Sequence, residues 1–68
     1  MKVDETDPTI AIVTLEDPNA LGALKAGMED HRQWSRHPET NELARYVQDN
    51  RKFNNIAVKS GDTYIRIK

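Results

Sequence analysis

The sequence predicts an α+β fold, a small two-layer domain in which a strand is followed by helices and then by a C-terminal β-hairpin. Three patterns predict this fold. Residues 9–15 are β-branched and apolar, apolar residues recur at steps of three and four through residues 18–53, and polar and apolar residues alternate through residues 56–67. Steps of three and four are typical of an amphipathic helix, and strict alternation is typical of a half-buried strand. The predicted order is therefore β-α(-α)-α-β-β.

The first eight residues differ in composition from the rest. They carry three carboxylates and end at Pro8, and they contain no apolar pattern. We expect residues 1–8 to form a flexible acidic N-terminal segment ahead of a single domain that spans residues 9–68. The run at residues 9–15 is apolar at both odd and even positions, which favours a strand inside a sheet or covered on both faces.

Residues 18–36 are predicted to be helical. Asp17 and Pro18 form a typical helix start, because aspartate accepts hydrogen bonds from free N–H groups and proline at the first position loses none. Four residues recur along one helical face: Leu21, Leu24, Met28 and His31. Gly22 and Gly27 interrupt this pattern. Either Gly27 ends a first helix before a second one, or both glycines allow close packing of the backbone.

A further helix is predicted over residues 38–53. Pro38 suits its first position, and Arg51 and Lys52 suit a C-terminus that favours cations. Its apolar face contains Leu43, Tyr46, Val47 and Asn50.

The C-terminal residues are predicted to form a hairpin. Gly61-Asp62 suits a two-residue turn with glycine first, which would pair Val58 with Ile65 and Lys59 with Tyr64. That register sets all the apolar side chains on one face. The predicted core of the domain then contains Ile10, Ile12, Leu15, Leu21, Leu24, Met28, Leu43, Tyr46, Val47, Phe53, Ile56, Val58, Ile65 and Ile67.

Composition excludes several classes of function. The 68 residues include no cysteine, so thiol catalysis, disulfides and cysteine metal sites are ruled out. His31 and His37 lie six residues apart, which does not suit a helical metal pair, and Ser35 and Ser60 lack a nucleophile motif. We expect no enzyme activity, no cofactor and no metal. Without a secretory signal or a membrane-length apolar stretch, we expect a cytoplasmic protein with no membrane partner.

Charge is distributed unevenly along the chain. Residues 1–30 carry two basic and seven acidic residues, whereas residues 31–68 carry eight basic and four acidic ones, although the net charge is only −1. The predicted helix 38–53 and hairpin each have a basic outer face. A basic helix followed by a basic hairpin resembles the layout of winged-helix domains, which implies a nucleic-acid-binding regulator. The residues expected to contact nucleic acid are Arg45, Gln48, Lys52, Lys59, Tyr64, Arg66 and Lys68.

The alternative function is a protein–protein interaction module, such as an adaptor, inhibitor or assembly subunit. Aromatic residues flanked by arginine are typical anchors of protein interfaces when they are exposed. The residues that would form such an interface are Trp34, Arg32, Arg36 and Tyr64. For Trp34, packing into the core is the interpretation that the sequence favours, because few large residues are available to fill that core. A homodimer could form by pairing of the first strand or of a hairpin edge.

Overall fold

The computed structural model describes all 68 residues and contains one sheet with its helices on one face. The elements are β1 (Lys2–Asp4), β2 (Ile10–Leu15), α1 (Ala20–Glu29), a 3₁₀ helix (His31–Arg36), α2 (Pro38–Asp49), β3 (Asn55–Ser60) and β4 (Thr63–Arg66). This architecture confirms the predicted α+β class. None of the helices combines the length and the apolar character needed to cross a membrane.

The four strands are arranged in the order β1-β2-β3-β4. β2 and β3 run parallel in the middle of the sheet, and β1 and β4 each pair antiparallel with their neighbour. A parallel pair requires a long crossover connection. Here α1, the 3₁₀ helix and α2 form this connection, because all three come between β2 and β3 in the chain.

The N-terminal residues belong to the sheet, so the expectation that residues 1–8 lie outside the domain is wrong for β1. Lys2 lies opposite Thr14, and Asp4 lies opposite Ile12. All three side chains of β1 are exposed. Because none of the three residues of this edge strand is buried, the strand needs no alternation of polar and apolar residues. The sequence pattern therefore does not reveal it.

Residues 18–36 form two helices, which settles the alternative left open by the sequence. α1 continues through Gly27 to Glu29, and the Asp30 carboxylate then caps the 3₁₀ helix by accepting a hydrogen bond from the Arg32 N–H. Gly27 serves close packing: a β-carbon built there would lie 1.7 Å from Trp34 Cδ1. Met28, predicted to be in the core, is 41% exposed. α2 ends at Asp49, four residues earlier than predicted.

The core lies between the helices and the inner face of the sheet. Its buried members are Ala11, Val13, Leu15, Ala20, Leu24, Trp34, Leu43, Phe53, Ile56 and Val58. Two predicted core residues, Ile10 and Ile12, lie on the other face of β2. The buried residues of this strand are the odd-numbered ones, whereas Ile10 and Ile12 are even-numbered. The remaining predicted members are half-buried at the margin of the core: Leu21, Tyr46, Val47, Ile65 and Ile67.

The predicted hairpin register is confirmed. Val58 lies opposite Ile65 and Lys59 opposite Tyr64, and the Ile67 N–H donates a 2.9 Å hydrogen bond to the Ile56 carbonyl oxygen. Gly61 has φ of +58°, a left-handed conformation that glycine adopts without a steric penalty.

Candidate functional site

A cleft opens between α2, the 3₁₀ helix and the C-terminal end of the chain. Its volume is about 580 Å³, within the ~300–1,000 Å³ typical of clefts that bind small ligands. Ten residues line it: His31, Trp34, Asn41, Ala44, Arg45, Val47, Gln48, Arg51, Ile67 and Lys68.

The lining of this cleft is cationic and contains no aspartate or glutamate side chain. Arg45, Arg51 and Lys68 supply three positive charges, and His31 adds an imidazole. The amides of Asn41 and Gln48 add polar groups without charge. In a chain whose net charge is −1, this cleft is therefore a local concentration of positive charge.

The arginines of the cleft are free to bind a ligand. Neither the Arg45 nor the Arg51 guanidinium has a hydrogen-bond or ion-pair partner, whereas Arg32 outside the cleft is paired with Asp30 at 3.0 Å. Lys68 Nζ donates a 3.1 Å hydrogen bond to the Arg51 carbonyl oxygen, which holds the C-terminal residue against the end of α2. This contact leaves the lysine charge without a counter-ion.

An aromatic pair forms one wall of the cleft. The His31 and Trp34 rings stack with centroids 4.9 Å apart and an angle of 9° between their planes. Trp34 is fixed, because its Nε1 donates to the Leu24 carbonyl oxygen at 3.1 Å and its own carbonyl oxygen accepts a 2.6 Å bond from Thr40 Oγ1. His31 is exposed and lines the cleft, so the ring face turned away from Trp34 is accessible.

The position of α2 is set by contacts at its first turn. His37 Nδ1 accepts a hydrogen bond from the Glu39 N–H, and His37 Nε2 lies 3.1 Å from an Asp17 carboxylate oxygen. The Glu39 carboxylate accepts hydrogen bonds of 2.8 and 2.7 Å from the N–H groups of Glu16 and Asp17. It also lies 3.2 Å from the Met1 amino nitrogen. These bonds tie the helix that carries Arg45 to the end of β2.

The same contacts shift two pKa values. Burial alone would raise the pKa of Glu39, but the N–H groups of Glu16 and Asp17 and the Met1 ammonium outweigh it, so the pKa is lowered. The hydrogen bond to Glu39 raises the pKa of the Met1 amino group, against the opposing effect of burial. Both groups are therefore held in their charged forms.

The structure brings together only part of the predicted nucleic-acid site. Arg45, Gln48 and Lys68 line the cleft. Lys52 lies outside it, with Nζ 5.3 Å from the centre of the Phe53 ring. The remaining three, Lys59, Tyr64 and Arg66, project from the sheet face that the helices leave uncovered. The hairpin also differs from a projecting wing, because β3 is an interior strand of the sheet.

Of the predicted protein-contact residues, Arg32, Trp34 and Arg36 lie on the 3₁₀ helix and Tyr64 lies on β4. Trp34 is only 4% exposed, which confirms core packing and removes it as an exposed anchor. Arg36 is exposed and has no ion-pair partner. Tyr64 is 62% exposed and packs beneath Lys59, whose Nζ is 5.6 Å from the ring centre.

Arg51 and His31 line the cleft but are not among the residues predicted to contact nucleic acid. Helical spacing gives a partial signal for Arg51, because residues 41, 45, 48 and 51 follow one another at steps of four, three and three. No such signal exists for His31, which reaches the cleft from a different helix.

Comparison with protein-family models, curated proteins and solved structures finds no match to this chain. Function must therefore be inferred from the geometry and charge of the cleft.

Proposed function

We propose that this protein is a non-enzymatic binding module that holds a single-stranded segment of nucleic acid in the cationic cleft. The observation that carries the proposal is the set of three cationic side chains without an acidic side chain as partner, in a cleft whose lining contains no aspartate or glutamate. Isolated positive charges in a concave surface attract anions, and no acidic side chain of the lining opposes a phosphate group.

The phosphodiester backbone is the part of the ligand that the cations would bind. Arginine presents several N–H donors in a planar arrangement that suits phosphate oxygens. Arg45 lies on α2, Arg51 follows the end of that helix, and Lys68 at the chain end lies beside Arg51, with its Nζ bonded to the Arg51 carbonyl oxygen. The uncharged amides of Asn41 and Gln48 would donate hydrogen bonds between these charges.

The aromatic wall supports a single strand as the ligand. Unpaired bases stack on aromatic side chains, including histidine, whereas the bases of a duplex are already stacked on each other. The open face of the His31 ring offers such a surface, and the fixed Trp34 ring behind it keeps the imidazole in place. A base on His31 would bring its own phosphate toward the arginines.

The acidic remainder of the chain limits the affinity. Residues 1–30 carry a net charge of −5, so the protein as a whole does not attract polyanions. Binding would then depend on a few local contacts. Three phosphate contacts to a single strand correspond to a slope of about −2 in a plot of log K against log salt concentration.

Replacing Arg45 or Arg51 by alanine is expected to weaken binding of a short oligothymidylate by roughly five- to tenfold at low salt. Each variant should also reduce the magnitude of the salt slope by about 0.7, because one phosphate contact is lost. Fluorescence anisotropy of a labelled oligonucleotide across a series of salt concentrations measures both quantities.

Lys25→Ala is the matched control, because it removes the same charge from an exposed position on α1 that does not line the cleft. The affinity of Lys25→Ala for the oligothymidylate should remain within about twofold of that of the unmodified protein, and the salt slope should be the same. Equal losses in all three variants would indicate a non-specific charge effect, and no binding at low salt would refute the proposed function.

Replacing His31 by alanine tests the contact with a base. The affinity for oligothymidylate is expected to fall about tenfold, in line with the known strength of base–aromatic stacking. An abasic oligomer with the same number of phosphates should bind both proteins equally. If His31→Ala weakens the binding of both oligomers alike, the imidazole acts on the backbone and the stacking contact is wrong.

A further inference from the structure

The face of the sheet opposite the helices is uncovered. Its side chains alternate with those of the core, and none of them is buried: Lys2, Asp4, Ile10, Ile12, Thr14, Asn55, Ala57, Lys59, Tyr64 and Arg66. We call these ten residues the open face. The cationic cleft lies in the helical layer on the other side of the domain.

Strand register orders the open face into rows. Asp4 lies opposite Ile12, Ile12 opposite Ala57, and Ala57 opposite Arg66. One row across all four strands therefore begins with a negative charge at one edge, passes over two apolar side chains and ends with a positive charge at the other edge. A second row runs from Lys2 through Thr14 and Lys59 to Tyr64.

The first row is complementary to its own reverse. Consider a second copy whose open face is turned toward the first by a twofold axis. If that axis lies between the two sheets, parallel to the strands and over the gap between β2 and β3, the row of the second copy runs in the reverse order. Asp4 would then face Arg66 of the partner subunit, and Ile12 would face the partner's Ala57. In the second row, the same rotation sets Lys2 against the partner's Tyr64, which allows a cation–π contact, and sets Lys59 against the partner's Thr14.

The middle of the open face suits a contact that excludes water. Ile12 and Ala57 lie at the centre of the two central strands with Ile10 beside them, whereas Lys59 lies near the end of β3 and the other charged residues, Lys2, Asp4 and Arg66, lie on the edge strands. An apolar centre with a polar rim is the usual arrangement of a protein interface. Sheets that pack face to face lie about 10 Å apart, with strand directions within roughly 30° of each other.

We propose that the open face is the contact between two copies of this chain, related by a twofold axis parallel to β2 and β3. Asp4 favours this occupant over a nucleic acid strand, since it would repel phosphate but would face the partner's Arg66 in the dimer. Within one chain, the Arg66 guanidinium donates hydrogen bonds to Asn55 Oδ1 and the Lys68 carbonyl oxygen and has no acidic side chain as a partner. The cleft on the far side of each copy stays accessible in such a dimer.

The size of the open face predicts a weak, reversible dimer. Four strands span about 14 Å, and a six-residue strand is about 20 Å long. A contact of that size falls below the ~1,600 Å² that stable complexes typically bury. Association should therefore be visible only at high protein concentration, and sedimentation equilibrium from about 10 µM to about 1 mM covers the relevant range.

Charge reversal tests the proposed geometry. Asp4→Arg sets two arginines against each other at both ends of the row, and Arg66→Asp sets two aspartates together. Each single variant is expected to raise the dissociation constant of the dimer at least tenfold, and the double variant, with both charges exchanged, should restore it to within about threefold. Both residues are exposed, and circular dichroism of each variant verifies that the fold is retained.

Lys25→Glu, an exposed charge reversal on the helical side, is the matched control and should leave dimerisation unchanged. A protein that remains monomeric at about 1 mM would overturn the proposal. So would a dimer that tolerates both single reversals, because its contact would then lie elsewhere, for example at the edge of β4. Failure of the double variant to recover the dimer would also overturn it.

Discussion

Gly27→Ala is expected to unfold most of this domain, whereas Gly22→Ala, on the same helix, is expected to stabilise it. A β-carbon at Gly27 would lie 1.7 and 1.8 Å from Trp34 Cδ1 and Nε1, far inside van der Waals contact. At Gly22 a β-carbon meets no atom within 4 Å. The two substitutions are chemically identical, so their difference isolates the packing of Trp34.

The clash at Gly27 cannot be relieved cheaply. Trp34 is 4% exposed, its Nε1 is bonded to Leu24 in the same helix, and His31 covers its ring. To make room, the indole must leave its site, which loses the burial of the largest side chain and its hydrogen bond. Displacing a buried tryptophan costs about 3–5 kcal/mol. Domains of this length have only ~3–10 kcal/mol of unfolding free energy.

Urea unfolding followed by the fluorescence of Trp34, the single tryptophan, measures both variants. Gly27→Ala should show a red-shifted emission without denaturant and little or no cooperative transition. Gly22→Ala should gain about 0.5–1 kcal/mol, because alanine loses less backbone entropy than glycine in a helix. A Gly27→Ala protein with the unfolding midpoint of the unmodified chain would show that the indole does not rest against α1.

The hairpin was predictable in detail because two independent signals agree there. The alternation through residues 56–67 requires the apolar side chains to share a face, and Gly61 suits a two-residue turn that produces that register. Its φ of +58° shows why glycine stands at that position. Where turn chemistry and hydrophobic period coincide, register follows from local sequence alone.

The orientation of β2 could not be predicted in the same way. Ile10 and Ile12 have larger apolar side chains than Ala11 and Val13, yet the smaller pair faces the core. An apolar run at both parities does not specify a face, and the choice depends on the helices that pack against it. Ile10 and Ile12 consequently lie on the open face, which no pattern in the sequence indicates.

The cleft was predictable only in its helical half. Arg45 and Gln48 lie one turn apart on α2, and their common surface follows from helical geometry. His31 and Lys68 come from elements separated from them by many residues, and only the folded chain brings them to the same cleft. Lys59 and Arg66 share an outer face of the hairpin as predicted, but packing sets that face away from α2.

Glu39→Gln is expected to lower the unfolding free energy by about 2–3 kcal/mol at neutral pH, since three interactions of one carboxylate are weakened together. The Glu16 and Asp17 N–H groups and the Met1 ammonium are all donors directed at Glu39. A glutamine side chain keeps one acceptor oxygen but turns an NH₂ group toward a second donor. Because these bonds hold the first turn of α2, their loss should also loosen the position of the cleft.

The pH dependence of this loss gives the sharper test. The pKa of Glu39 is lowered in the folded protein, so its contribution is complete above its ordinary value of 4.5 and disappears as pH falls through the lower folded value. The Met1 amino group has a raised pKa, so its contribution is complete below its ordinary value of 8.0 and is lost as pH rises through the higher folded value. The cost of Glu39→Gln should therefore be largest between these limits.

Glu42→Gln provides the control, because Glu42 is exposed on the same helix and forms no hydrogen bond. Urea unfolding of the three proteins at pH values of about 3, 6 and 10 separates the contributions. As the pH falls below 4.5, the stabilisation by the Glu39 charge is progressively lost, and the difference in stability between the unmodified protein and Glu39→Gln should shrink. A difference between them that stays constant across the whole range would show that the substitution acts through packing. In that case the charge of Glu39 does not hold α2 to the sheet.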